Sequence, residues 1–88
     1  MSDATGDAFS RLVDLLATLR SPEGCPWDRE QTHQSLKRNL LEEPYEVLDA
    51  IDQGNPDLLT EELGDVLLQI LFHSQIASEA GQFAIDDV

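Results

Sequence analysis

Thiols and positive charges are scarce in this 88-residue chain. Cys25 is its single cysteine, which excludes an internal disulfide and fits a reducing compartment. The N-terminus lacks the basic and apolar regions of a signal peptide, and the longest apolar run is too short to cross a bilayer. We therefore expect a soluble, cytoplasmic protein that does not interact with membranes.

Basic residues are few and lie early in the chain. Five Lys and Arg residues stand against 18 Asp and Glu residues, which gives a formal net charge of -13. This balance argues against binding to a nucleic-acid polymer, because such proteins need basic residues to displace counterions from phosphates. The last basic residue is Arg38, and twelve acidic residues follow it. Cations from solution would relieve the repulsion among them.

Helical spacing of apolar residues predicts an all-α fold, with no strand-like alternation. The three helices are expected at about residues 8–20, 29–53 and 56–80. The second begins near Arg29, after a capping-box pattern, or after a further turn at Thr32. Pro44 lies inside it and predicts a kink, since proline removes one helical hydrogen bond and clashes with the preceding turn. Gly54 and the residues after it predict a tight turn between helices two and three.

The length predicts one helical domain, residues 7–88, preceded by a disordered segment at residues 1–6. A domain this short leaves much of its apolar surface uncovered, so we expect self-association to complete an antiparallel helical bundle. Asp86 or Asp87 would make a good N-cap for one more helix. We expect that C-terminal helix to be lacking.

Two pairs of carboxylates lie on helical faces that border apolar arcs. Glu43 and Glu46 form one i, i+3 pair on helix two, and Glu62 and Asp65 form another on helix three. Such pairs hold their Cβ atoms roughly 5–6 Å apart, so each can converge on one ion. On antiparallel helices the four oxygen ligands would suit Mg²⁺ or Mn²⁺. Zinc is disfavoured, because Cys25 and the two histidines have no recognisable ligand spacing.

Acidic residues on helices most often form a solvated surface, which is the alternative interpretation of these four. Metal binding is favoured here because both pairs lie beside apolar arcs on adjacent helices. In addition, no Lys or Arg follows Arg38 to neutralise them.

Four short segments make a more specific pattern: Gly24-Cys25-Pro26-Trp27-Asp28, Gln31-Thr32-His33, Leu41-Glu42-Glu43-Pro44-Tyr45-Glu46-Val47 and Glu62-Leu63-Gly64-Asp65. From about Leu12 to Val88 the chain resembles the MazG-type nucleoside triphosphate pyrophosphohydrolases of the all-α NTP pyrophosphatase superfamily. The family signature EExxE followed by ExxD is met by Glu42, Glu43 and Glu46 and then by Glu62 and Asp65. In combination with the GCPWD loop, the signature is specific.

The resemblance implies Mg²⁺-dependent cleavage of nucleoside triphosphates to a nucleoside monophosphate and pyrophosphate, as nucleotide-pool housekeeping. It implies a homodimer or homotetramer in which helices of different subunits complete each bundle. Carried over by position, Glu43, Glu46, Glu62 and Asp65 would be metal ligands. Glu42 would be an auxiliary acidic residue that holds or deprotonates the water.

Four further residues are weaker substrate-binding candidates, each with a structural alternative. Trp27 could stack on a base, although a single Trp in a Pro-rich loop is more often a hydrophobic anchor. His33 could contact phosphate or, more simply, cap and pack the start of helix two. Lys37 and Arg38 could meet phosphates or merely balance charge. For His73, a buried and hydrogen-bonded role beside Gln69 is favoured, and the alternative is a supporting role near Asp65.

A non-enzymatic module is the competing hypothesis. An acidic helical domain could bind a basic partner, or could sense a nucleotide without cleaving it. Saturable Mg²⁺-dependent nucleotide binding distinguishes an enzyme from a pure interaction module.

Overall fold

A computed structural model describes residues 3–88 of the chain, and this part is all-α. Its helices, in chain order, are α1 (Asp3–Leu19), α2 (Pro26–Glu30), α3 (Lys37–Gln53) and α4 (Pro56–Glu79). The predicted fold class is confirmed, and no strand occurs in the described residues. The third predicted helix, about 56–80, corresponds to α4 almost residue for residue.

The first helix starts earlier than its apolar pattern predicted. It begins at Asp3 instead of near residue 8, so residues 3–6, expected to precede the helix, lie within it. Residues 1 and 2 of that segment lie outside the described residues. All side chains from Asp3 to Arg11 are exposed, so no pattern of buried apolar residues indicates where α1 begins. An acidic residue at the helix N-terminus also favours helix there, because it complements the helix dipole.

The predicted helix over residues 29–53 is wrong in its first part, where the chain forms two helices separated by a turn. α2 starts at Pro26, and Gln31 is its C-cap with an extended backbone, not the partner in a capping box with Asp28. Thr32 and Ser35 then bond reciprocally: each backbone N–H donates to the other side chain's hydroxyl oxygen, at 2.8 and 3.0 Å. These side-chain bonds compete with helical ones, so α3 begins only at Lys37.

The hairpin between α3 and α4 follows the predicted turn. Gly54 adopts a left-handed conformation, with φ 63°, which glycine reaches without steric cost. Asn55 caps α4 by accepting a 3.2 Å hydrogen bond from the backbone N–H of Leu58, and Pro56 takes the first helical position. α3 continues through Pro44, and the kink stays a prediction.

The apolar core is small. Its buried members come from α1, the turn before α3, and α4: Leu16, Leu36, Leu71 and Phe72. α3 packs along α4 but contributes only Ala50 as a fully buried residue. Large apolar side chains on these two helices remain exposed, and we call them the α3/α4 apolar face: Leu40, Leu41, Leu48, Ile51, Leu63, Leu67 and Ile70.

Arg20 connects the helices with the loop between α1 and α3. Its guanidinium is buried and donates two hydrogen bonds to the Glu79 carboxylate, at 2.9 and 3.0 Å. It also donates to the carbonyl oxygens of Asp28 and Gln31, at 2.6 and 2.9 Å. These hydrogen bonds from Arg20 hold the pKa of Glu79 below its usual value. The end of α1, the short helix α2 and the end of α4 therefore meet at one cation.

We predict that Gly24→Ala destabilises the chain. A Cβ at this position would overlap the backbone carbonyl oxygens of Thr18 and Leu19, which cannot move without disturbing the end of α1. We expect the free energy of unfolding, measured by urea denaturation, to fall by about 1–3 kcal/mol. Gly6→Ala is the control, since nothing lies within 4 Å of its Cβ. Equal stability of the two variants would contradict the close approach at Gly24.

Candidate metal centre

Four carboxylates converge between α3 and α4. The antiparallel hairpin places the i, i+3 pair of α3 opposite that of α4, because both pairs lie on the facing sides of the two helices. Each of the four residues offers one carboxylate oxygen, and these oxygens all lie within 4.8 Å of one another: Glu43, Glu46, Glu62 and Asp65. The structure thus brings together the four residues that the sequence analysis selected.

The cluster is partly buried and contains oxygens without hydrogen-bond partners. Glu46 is exposed, whereas the other three members are half-buried. Glu43 Oε2 and Glu62 Oε2 are buried and accept no hydrogen bond. Buried carboxylate oxygens without a donor are costly, so these atoms are available for a cation.

The surroundings of two of these groups raise their pKa values. A hydrogen bond with Glu46 raises the pKa of Glu62 to about 7, and burial and the neighbouring negative charges act in the same direction. Burial is the largest cause of the raised pKa of Glu43, followed by the charge of Glu46. Close carboxylates resist ionising together, so Glu62 keeps its proton to a higher pH than usual, and a bound cation would favour release of that proton.

No basic side chain of the described residues pairs with the cluster. The two ion pairs among residues 3–88 join Arg20 to Glu79 and, at 3.9 Å, Arg38 to Glu42. Neither includes one of the four converging carboxylates. A purely oxygen donor set of this kind fits a hard divalent cation such as Mg²⁺ and does not separate it from Mn²⁺.

The other candidates lie outside the cluster. Glu42 is exposed on α3, where its contact with Arg38 is long. Lys37 and Arg38 are exposed at the N-terminus of α3. Trp27 is 58 % exposed on α2. Within the described chain it is therefore not the hydrophobic anchor that its place in a Pro-rich loop predicts.

His33 and His73 form a contact that the sequence analysis missed. Their Nδ1 atoms lie 2.7 Å apart, although 40 residues separate them in the chain. His33 lies in the turn before α3 and does not cap the helix. His73 is hydrogen-bonded, as expected, with His33 as its partner, but it is half-buried and not fully buried. No local pattern could have revealed this pair, because the turn at residues 31–36 brings His33 against α4.

Facing carboxylate pairs on an all-α hairpin form a site suited to a divalent cation. The MazG nucleotide pyrophosphohydrolase domain family matches residues 31–88, which is more than half of the chain, so the chain belongs to that family.

Curated relatives agree with this assignment. The chain is 60% identical over 83 residues to the "nucleoside triphosphate pyrophosphohydrolase/pyrophosphatase MazG" of Thermotoga maritima, covering 94% of this chain and 32% of that protein. It is 57% identical over 81 residues to the nucleoside triphosphate pyrophosphohydrolase of Mycobacterium tuberculosis, covering 89% of this chain and 25% of that protein. The Escherichia coli protein of that name is 49% identical over 81 residues, with coverage of 91% and 31%. The chain thus spans about a third or less of their lengths.

We predict that Glu62→Gln stabilises the metal-free protein at high pH. The pKa of Glu62 is raised from 4.5 to about 7 in the folded chain, so ionisation disfavours the folded state. The resulting penalty is absent below the unfolded pKa and complete above the folded one. With EDTA present, the melting temperature of Glu62→Gln should exceed that of the wild type at pH 8 and equal it at pH 4.

Glu61→Gln is the matched control, because Glu61 is an exposed neighbour outside the cluster. An equal gain from Glu61→Gln would mean that the net charge of -13, and not the converging carboxylates, destabilises the folded chain.

Proposed function

We infer that this chain is the metal-binding domain of an enzyme that hydrolyses nucleoside triphosphates to a nucleoside monophosphate and pyrophosphate with Mg²⁺. Mn²⁺ is the alternative cation. The observation that carries this proposal is the convergence of four carboxylate oxygens within 4.8 Å, without a basic partner, in a chain of the MazG family. The names of the curated relatives supply the reaction class.

The proposed metal ligands are Glu43, Glu46, Glu62 and Asp65. When bound, Mg²⁺ offsets negative charge on the phosphates and increases the acidity of water. The buried, unpartnered oxygens of Glu43 and Glu62 support this assignment, because a cation would satisfy them.

Glu42 is the proposed catalytic base. Hydrolysis adds water across the anhydride bond between the α and β phosphates: the water oxygen binds one phosphorus, the bridging bond breaks, and a proton must be accepted. Glu42 is adjacent to Glu43 in the chain, and its carboxylate is exposed with only a long contact to Arg38, at 3.9 Å. It can therefore leave that contact and accept the proton.

Four exposed or half-exposed side chains are proposed as weaker substrate contacts: Trp27, His33, Lys37 and Arg38. Lys37 and Arg38 carry positive charge at the end of α3 that lies away from the hairpin turn, which suits contact with an anionic substrate. Removal of surplus or non-standard nucleotides in the cytoplasm is the proposed role, and the single thiol fits that compartment.

A product assay tests the reaction. We expect the intact protein with Mg²⁺ to release nucleoside monophosphate and pyrophosphate, and to lose this activity in EDTA. Asp65→Asn should lower kcat/KM by about 100-fold or more, because it removes a ligand of the charge-stabilising ion. Asp57→Asn, on the exposed first turn of the same helix, is the control and should leave the rate unchanged.

Release of a nucleoside diphosphate and orthophosphate would overturn the reaction type. Mg²⁺-dependent nucleotide binding without hydrolysis would favour the nucleotide-sensing module. Full activity in Asp65→Asn would refute the assigned ligands.

A homodimer or homotetramer is also proposed, formed through the α3/α4 apolar face. Exposed large apolar side chains on adjacent helices are typical of interaction surfaces, and here they include Leu48 and Leu67. We expect Leu48→Glu and Leu67→Glu to lower the molecular mass observed by sedimentation equilibrium. Leu15→Glu is the control, because Leu15 is exposed on α1, away from this face. A monomeric wild type at micromolar concentration would contradict the proposal.

A further inference from the structure

Two polar groups on α4 lie beyond the carboxylates and lack partners. Gln69 is only 8 % exposed, and its Oε1 atom is buried without a hydrogen bond. One turn further along, His73 Nε2 is also buried and unpartnered. Buried polar groups are almost always hydrogen-bonded in folded proteins, so a pair of adjacent exceptions requires an explanation.

Both groups lie on the face of α4 that carries the metal candidates. At 100° per residue, Gln69 and His73 fall within about 40° of each other and on either side of the direction of Glu62. Gln69 lies about 6 Å along the helix axis from Asp65, and His73 about 12 Å, from the rise of about 1.5 Å per residue. The unpartnered groups therefore continue the carboxylate cluster toward the start of α3.

The contact with His33 leaves His73 able to present either a donor or an acceptor. The two rings are inclined by 3°, and their centroids lie 5.0 Å apart, whereas the Nδ1 atoms lie 2.7 Å apart. Because the nitrogens are much closer than the centroids, the rings meet edge to edge and share one proton. If His73 donates from Nδ1, its Nε2 accepts; if His33 donates, the Nε2 of His73 carries a proton.

These groups are uncharged, which decides what they can recognise. Burial, and then the charge of His33, lowers the pKa of His73, so the ring is neutral at physiological pH. An amide and a neutral imidazole match the polar edge of a base or a sugar hydroxyl better than a phosphate, which favours charged donors.

We propose that Gln69 and His73 form the subsite that binds the nucleoside portion of the substrate, with His33 positioning the ring of His73. This inference rests on the proposed function, because phosphates bound at the carboxylate cluster would direct the sugar and base along α4. The ligand then satisfies the two groups that the chain leaves without partners.

The test compares ligands with and without a nucleoside. Binding of a non-hydrolysable nucleoside triphosphate analogue and of inorganic tripolyphosphate to the full chain is measured by calorimetry in Mg²⁺. Gln69→Leu should weaken binding of the analogue about three- to tenfold, the effect of one lost hydrogen bond, and leave tripolyphosphate binding unchanged. Gln69→Met, a second apolar replacement, should behave alike. Unchanged melting temperatures exclude misfolding.

Gln75→Leu is the matched control. Gln75 lies on the same helix but donates to the Glu79 carboxylate at 3.2 Å, so its loss should affect neither ligand. Equal affinities of Gln69→Leu and Gln75→Leu for the analogue would overturn the subsite. So would equal weakening of both ligands by Gln69→Leu, since that places its role at the phosphates or in the fold. A wild type that binds neither ligand would overturn the proposed function as well.

Two further readouts separate base from sugar and test His73. If Gln69→Leu changes the affinity ratio of ribose and deoxyribose analogues, Gln69 contacts the sugar; an unchanged ratio, with weaker binding of both, assigns it to the base. The ¹⁵N resonances of the His73 ring should shift when the analogue binds and not when tripolyphosphate binds. Identical responses to both ligands would remove His73 from the subsite.

Discussion

The buried guanidinium of Arg20 is the interaction on which the arrangement of the chain depends. No side chain between Ser21 and Ser35 is buried, so this segment has little apolar packing of its own to hold it. Arg20 supplies charge-assisted and backbone hydrogen bonds instead, to Glu79 on α4 and to two carbonyl oxygens in the segment. Such bonds are directional and stronger than neutral ones, so they fix the orientation of the segment as well as attaching it to α4. Two features place His33 against α4: the attachment by Arg20, and the burial of Leu36, three residues after His33.

At the other end of the α3 and α4 pair, carboxylates lie close together and no basic side chain of the described residues pairs with them. Glu43 and Glu62 keep buried oxygens without donors. Burial raises the pKa of Glu43, a hydrogen bond with Glu46 raises that of Glu62, and the charges of neighbouring carboxylates act in the same direction on both. The fold holds these carboxylates close together, because Gly54 and Asn55 fix the hairpin that joins α3 and α4. The same crowding would favour a cation, and this is why the cluster is the proposed metal centre of this MazG-family chain.

Among residues 3–88, the buried polar atoms without hydrogen-bond partners are not scattered. These carboxylate, amide and imidazole atoms belong to Glu43 on α3 and to one face of α4, whereas the guanidinium of Arg20 makes four hydrogen bonds. Apolar side chains remain uncovered on the adjacent surface of the same two helices. The buried core and the Arg20 hydrogen bonds thus lie around α1 and the C-terminal half of α4, whereas the unpartnered polar atoms extend from Glu43 and Glu62 to His73.

Local spacing in the sequence determined the helical class, the α3 to α4 hairpin and the membership of the carboxylate cluster. Those features arise from contacts within one helix or across one short turn: Glu62 and Asp65 share a face because they are three residues apart. Local spacing did not determine the break before Lys37, the attachment of Arg20 to Glu79 or the His33 and His73 pair. At the break, side-chain hydrogen bonds replace helical ones. The other two contacts join residues that lie 59 and 40 positions apart in the chain. Only the tertiary structure decides such contacts, because periodicity describes the face on which a residue lies and not the residue that comes to lie opposite.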